Sequence, residues 1–498
     1  MSELTTPGLH RADFRKICVN GFGDGNNAYA HSMAWFKNYI YVGTTRANLC
    51  LLRHSMKQIT IDIWPVECPY PVYSPEFEQF QARAEIWRYS PLLDRWERVY
   101  QAPIVFGNTG EEMSRDLGYR GMVVFQGKSD PEPALYVSTW SRSRGNGPLL
   151  LRSEDGKTFI PVSKPGLVGL PVTSFRTLVP FKGRLFTAPS GAAKGNPNTS
   201  GVTQIYTSAD PSKGEWQSIN EPNFGDPDNR TVFEMKGFGD YLYAGTFNVN
   251  GFQIWRTQAE GIPPYQWEMV LNQGGDRGCL NQIAVSMMVF NNALYIGTGI
   301  QNGGYDRVNK IGPAGVEILR LHPDNTWDVI VGNIRPNGKR PLSSCSPGFG
   351  NICNGYLWRM GVHQGWLYAG TMDWSIFLRY VNLEGKPART VRLLQQVGLE
   401  TIFQNQAGFE LWQTADGENW IPVDRQGFGN PYNYGIRNII STPHGVFIGT
   451  TNPFGPSVAV QVGDQWQYVN NPAGGLEVWL GDNSAEKSSC ADSFEKNL

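Results

Sequence analysis

The chain has 498 residues, of which 40% are hydrophobic and 17% charged, with 57 Gly, 16 Trp and 21 Tyr; this turn-rich, aromatic composition excludes a disordered or collagen-like chain. The formal net charge of −1 offers no global field to nucleic acid or an anionic membrane, and no apolar run approaches the ~20 residues of a membrane span. The 7 cysteines are an odd, scattered set without CxxC spacing, and residues 1–14 lack the apolar core of a signal peptide. Both features fit a reducing, cytoplasmic setting better than a disulfide framework or a zinc site.

The first predicted element is the strand Phe14–Val19, in FRKICVNGFGD. Its pattern matches Trp420–Asn430, WIPVDRQGFGN, far downstream. SMAWFKNYIYVGT (Ser32–Thr44) then reads as a β-hairpin: an apolar strand, a tight turn, and a second strand ending in Gly-Thr. The pattern returns in GMVVFQG…ALYVST from Gly121, TLVPFKGRLFTAP from Thr177, EMKGFGDYLYAGT from Glu234, SMMVFNNALYIGT from Ser286, YLWRMGVHQGWLYAGTMD from Tyr356 and NIISTPHGVFIGT from Asn438. A third strand follows each hairpin (AEIWRYS, LLLRSE, TQIYTS, FQIWRT, VEILRL, FELWQT, LEVWL), and a fourth follows all but the last.

Four strands in each of seven repeats predict an all-β, seven-bladed β-propeller. The last repeat has no fourth strand after Leu480, so the N-terminal strand is expected to supply it. Pairing of Phe14–Val19 with Leu476–Leu480 would then close the ring. On this reading residues 1–483 form one propeller. Insertions 46–83 and 375–407 lie on the face to which the second strands run, and the polar tail 484–498 is expected to be disordered.

The inner strands surround the axis, so residues two before a shared apolar marker should converge there. They are His31, Arg120, Arg176, Phe233, Val285, Trp358 and Arg437; one position later come Glu234 and Arg359. Charged side chains on core strands resist burial unless paired. Two readings follow: an anion site at the top of the channel, built on arginine forks, or salt bridges between blades, for instance Glu234 with Arg176. Tyr119, Tyr356, Trp140, Phe247 and Trp358 are candidates to wall a ligand, with Arg120, Arg176, Arg359 and Arg437 binding it. Asp373, His31, Tyr434 and Glu234 are the candidate acid–base groups. Asp373 alternatively caps a turn. No His cluster for a metal, Walker loop, Rossmann fingerprint or GxSxG is present, so neither metal nor cofactor is expected.

Ser153-Glu154-Asp155-Gly156-Lys157-Thr158-Phe159 and Thr414-Ala415-Asp416-Gly417-Glu418-Asn419-Trp420 resemble the Asp-box turns of sialidase-like propellers. Tyr119-Arg120 and Phe175-Arg176 loosely resemble that family's first arginine motif. The repeats and top-face Arg, Tyr and Thr371-x-Asp373 are also similar, in architecture, to the propeller alkylating and cyclising enzymes of cylindrocyclophane-type natural-product pathways. The latter resemblance implies a cofactor-independent enzyme of specialised metabolism, catalysing cyclisation, cycloaddition or alkylation of a small aromatic or carboxylate-bearing substrate. The sialidase likeness implies a glycosidase instead, and a non-catalytic interaction scaffold is the third expectation.

Overall fold

The computed structural model describes residues 7–55, 63–192, 197–381, 392, 396 and 398–482. The tail 484–498 lies outside them. The architecture is mostly antiparallel β. After β1 (Phe14–Lys16) come β2 (Asn27–Phe36), β3 (Tyr39–Arg46), β4 (Glu85–Ser90) and β5 (Arg95–Gln101), which pair in that order as a meander. A separate hairpin, β6 (Ile104–Phe106) with β7 (Glu112–Ser114), follows. The next meander is β8 (Gly118–Phe125), β9 (Ala134–Trp140), β10 (Leu150–Ser153) and β11 (Ile160–Pro161). Then come β12 (Val172–Phe181), β13 (Arg184–Ala192), β14 (Tyr206–Ser208) and β15 (Gln217–Ser218). They are followed by β16 (Asn229–Phe238), β17 (Tyr241–Asn248), β18 (Ile254–Thr257) and β19 (Glu268–Leu271).

β20 (Ile283–Phe290), β21 (Ala293–Gly299), β22 (Ile318–Leu321) and β23 (Trp327–Val331) repeat the arrangement. So do β24 (Asn354–His363), β25 (Trp366–Asp373), β26 (Leu411–Thr414) and β27 (Ile421–Asp424). The last meander starts with β28 (Gly435–Thr442) and β29 (Gly445–Thr451). After the hairpin β30 (Ser457–Val462) and β31 (Gln465–Asn470), it resumes in β32 (Val478–Gly481). β1 pairs with β32 in the register Phe14 with Gly481 and Lys16 with Trp479. The first strands are neighbours in the order β2, β8, β12, β16, β20, β24, β28, and β28 returns to β2. This is a propeller-like ring of meanders, with first strands innermost.

Successive sheets pack through apolar faces. Tyr295, Ile318 and Ile330 of one meander meet Leu357, Met360 and Trp412 of the next, each buried side chain contributing roughly 1.5–3 kcal/mol. A polar clasp recurs at the start of the third strands. Glu85 accepts from Asn27 Nδ2 (3.0 Å) and from Trp87 Nε1 (2.8 Å). Gln253 makes the same contacts with Asn229 and Trp255, as does Glu477 with Asn433 and Trp479. Those tryptophans are covered by Phe22 (4.6 Å between rings), Phe224 (5.0 Å) and Phe428 (4.8 Å), while Phe349 covers Trp412 (4.3 Å). Each of these phenylalanines sits at left-handed φ, between 54° and 58°, a cost of about 1 kcal/mol that aromatic stacking offsets. These loops therefore spend their aromatic ring on packing between sheets.

The two Asp-containing turns are tight and locally satisfied. Asp155 accepts from the backbone N–H of Lys157 (2.8 Å) and Thr158 (2.7 Å), and Asp416 does the same for Glu418 and Asn419. Gly156 and Gly417 adopt φ of 71° and 85°, and a Cβ at either would collide with the hydroxyl of Tyr41 or Tyr295.

One expectation is overturned. Cys50 and Cys68 form a disulfide, with Cα atoms 5.7 Å apart across 18 residues. Sequence spacing hid it because a pairing across 18 residues of an insertion follows no local pattern. Cysteine usage thus loses its value as an argument for a reducing compartment. Among the described residues, no helix is long and apolar enough to cross a membrane.

Candidate functional site

The ring axis carries an unusual device. Every innermost strand has a β-bulge at the same depth. The residues passed over by the register are His31 in β2, Arg120 in β8, Arg176 with Thr177 in β12, Phe233 in β16, Val285 in β20, Trp358 in β24 and Arg437 in β28. A bulge leaves its residue outside the ladder and re-aims the side chain. Repetition of one irregularity therefore brings residues from distant parts of the chain to one zone.

The arginines there are buried and mutually exposed in charge. Arg120 Nη1 donates to Ser174 Oγ (2.6 Å) and Pro197 O (3.1 Å), and its Nη2 to Asn198 Oδ1 (2.8 Å). Arg176 Nη1 donates to the same Asn198 oxygen (2.7 Å), and the guanidinium lies 3.3 Å from the centre of the Phe233 ring. Arg437 sits 5.5 Å from the Trp358 ring, as Arg120 does from Trp140. Arg359 pairs with Glu234 at 2.9 Å and donates from Nε to Arg437 O (3.2 Å). Among the described residues, no carboxylate lies within ion-pair distance of Arg120, Arg176 or Arg437. The expected Glu234–Arg176 bridge is replaced by Glu234–Arg359, because the bulge places Phe233 rather than Glu234 against Arg176.

Electrostatics follow from that geometry. Burial pulls the Arg120 guanidinium down to about 10; burial and then the fields of Arg359 and Arg120 pull Arg437 down to about 9. Arg176 is also driven well below the ordinary guanidinium value, by burial and then by Arg120 and Arg437. All three are guanidinium cations held in a place that resists positive charge. His31 is driven well below the usual imidazole value, by burial first and then by the four arginines, so it is neutral at physiological pH. Its Nδ1 contacts Thr45 Oγ1.

An aromatic wall closes over the arginines. Tyr29 and Tyr434 share a short hydroxyl–hydroxyl hydrogen bond, and Tyr29 donates to Asn48 Oδ1 (3.1 Å) in the first insertion. Burial raises Tyr29 to about 12 and Tyr434 well above the ordinary phenol value, which keeps both as neutral O–H donors. Trp358 lies 5.9 Å from Tyr434 and 6.0 Å from Tyr29, and Tyr356 packs 5.9 Å from Trp358. Phe247 belongs to the same apolar cluster. That cluster includes Leu49, Trp64 and Phe77 of the first insertion and Ile376, Tyr380 and Phe403 of the second. Both insertions thus roof the axis.

Two sequence candidates fall elsewhere. Tyr119, expected to wall the ligand, precedes the bulge and faces the core between meanders, its ring 6.2 Å from Tyr100, beside Leu135 and Val137. Asp373 is fully buried at the end of β25; it accepts from Ser375 N (2.7 Å) and Asn351 Nδ2 (2.7 Å), so its contacts are those of a turn cap. Desolvation, with a small push from Glu410, raises its carboxyl to about 7. Sequence reasoning missed Asn198, which bridges two arginines from a loop, and the β30–β31 hairpin. The hairpin was legible in the alternation of SVAVQVGDQWQYVN around Gly463-Asp464. It joins the two insertions: Ala459 N donates to Pro65 O (2.9 Å), Tyr468 Oη to Trp64 O (3.1 Å) and Tyr380 Oη to Ala459 O (3.3 Å).

No protein-family model and no curated protein matches this chain. Among solved structures it is similar to an ancestral GH74 enzyme (11% identity, TM-score 0.46, 93% of this chain and 49% of that one). It is similar to a polysaccharide lyase (11% identity, TM-score 0.45, 91% and 90%) and to the GH74 xyloglucanase of Xanthomonas campestris (12% identity, TM-score 0.43, 94% and 56%). This chain therefore spans about half the length of the ancestral GH74 enzyme.

Proposed function

We propose that the chain is a single seven-bladed β-propeller, four strands to a blade, closed by its N-terminal strand. On this reading it binds a small aromatic carboxylate-type anion on the axis and acts on it without a cofactor. The observation that carries this reading is the set Arg120, Arg176 and Arg437, buried at one level without a carboxylate partner among the described residues. A buried cation without a counter-charge costs several kcal/mol, and a bound anion offsets that cost. Guanidinium forks favour a carboxylate, and Trp358, Trp140 and Phe233 favour a flat ring beside it. Catalysis would be by positioning and proton transfer through the Tyr434–Tyr29 pair, in reactions of the cyclisation or alkylation kind. Glycoside hydrolysis needs two carboxylates flanking one sugar site. Glu234 is engaged by Arg359 and Asp373 caps a turn, which disfavours that alternative. The test is a thermal-shift screen of aromatic carboxylates, followed by mass spectrometry of every ligand that stabilises the protein. Stabilisation with conversion supports the reading; stabilisation with the ligand returned intact makes the protein a binding module. No stabilisation by any carboxylate rejects a carboxylate as the ligand of the site.

A further inference from the structure

The axial charge balance says more about the ligand than that it is an anion. Among the described residues, five cationic side chains, Arg120, Arg176, Arg359, Arg437 and Lys236, share the site with the carboxylate of Glu234. Lys236 belongs to it because it lies two residues beyond Glu234 on β16, on the same face, and feels both Glu234 and Arg359. Glu234 is committed to Arg359. Among the described residues, the partners of Arg120 and Arg176 include the neutral oxygens of Ser174, Pro197, Asn198 and Phe233. The His31 ring adds no charge of its own.

Resting on the anion-site reading above, we infer that the axial site takes a doubly charged anion, a dicarboxylate or a phosphate monoester carried on an aromatic ring, in preference to a simple monocarboxylate. One carboxylate can be gripped by a single guanidinium fork. It leaves two further buried guanidinia repelling each other in a low-dielectric space, where repulsion is strong. A second acidic group engages them. The arginines come from β8, β12 and β28, on either side of β2 in the ring, so two acidic groups on one ring can be held from different directions. The flat walls of Trp140 and Trp358, each beside one of those arginines, suit the ring that joins the groups.

Calorimetry on the full chain tests this with three probes, benzoate, isophthalate and phenyl phosphate, at pH 8 and about 0.15 M salt, where a phosphate monoester is a dianion. At least one of the two dianions should bind about ten-fold or more tighter than benzoate, and the stronger of the two identifies the acid group. Arg176→Gln should shrink that ratio to within about three-fold. Affinities for both dianions equal to or weaker than that for benzoate overturn the dianion inference and leave the anion site standing. A ratio unchanged in Arg176→Gln also overturns it. Absence of binding by all three overturns both.

Discussion

At the level of single residues, arginines that resemble one another in sequence have different partners in the fold. Arg120, Arg176 and Arg437 have no carboxylate partner among the described residues, whereas Arg359 holds Glu234. Replacing Arg120, Arg176 or Arg437 by Met should leave the melting temperature unchanged or raise it, since a repelling buried charge is removed, while weakening stabilisation by anions. Arg359→Met should instead cost about 1–2 kcal/mol, because Glu234 loses its partner. Thermal melts of the four variants, with and without benzoate, check both statements; a clear loss of stability in the first three would return them to a structural role. Asp373 supplies a second prediction. Its folded value of about 7 lies above the ordinary carboxylate value, so between pH 4 and 7 the native state binds the extra proton. Stability from this group is therefore greatest in acid and falls as pH rises from about 4 to about 7, by about 4 kcal/mol in all at ~1.4 kcal/mol per pH unit. Asp373→Asn should remove that part of the slope, measured by urea unfolding at pH 5 and pH 8. An unaltered slope would contradict the assignment.

At the scale of the element, the decisive features are bulges and clasps. The seven hairpins, the third-strand pattern and the displaced first strand were legible because alternation, turn residues and Gly-Thr endings recur. The convergence of His31, Arg120, Arg176, Trp358 and Arg437 was legible as a column of aligned positions. The bulge that turns them inward was not, since register is a property of two strands and leaves no mark in one. Tyr119 was misplaced for that reason: one residue before a bulge the side chain faces the other way. Cys50–Cys68 and Asn198 were hidden because loop partners have no period. β1 gives a test at this scale. Phe14 is buried against Phe428, and Arg11 stacks on Phe428 and Trp479. Removing residues 1–16 exposes the edge of β32 and should cost about 2–4 kcal/mol and promote association. Chemical denaturation and light scattering read this, and a truncated chain that is as stable and monodisperse as the whole would argue against closure by β1.

At the scale of the whole molecule, a rigid ring presents side chains inward and three loop elements roof them. The roof is one body. The β30–β31 hairpin is bonded to both insertions, and the Cys50–Cys68 disulfide staples the first of them. Replacing residues 457–470 by a short Gly-Ser linker should leave the ring folded but loosen the cover over Trp358 and weaken anion binding about ten-fold, seen by quenching of tryptophan fluorescence and by calorimetry. Unchanged binding would mean that the hairpin plays no part in enclosing the ligand. Whether the axial arginines hold an anion is read from a crystal structure of the protein soaked with 4-bromobenzoate, located by the anomalous signal of bromine. A single strong peak is expected beside Trp358 or Trp140, with the carboxylate on at least two of Arg120, Arg176 and Arg437. A well-ordered bromine peak elsewhere, with those three arginines touching only protein and water, would contradict it.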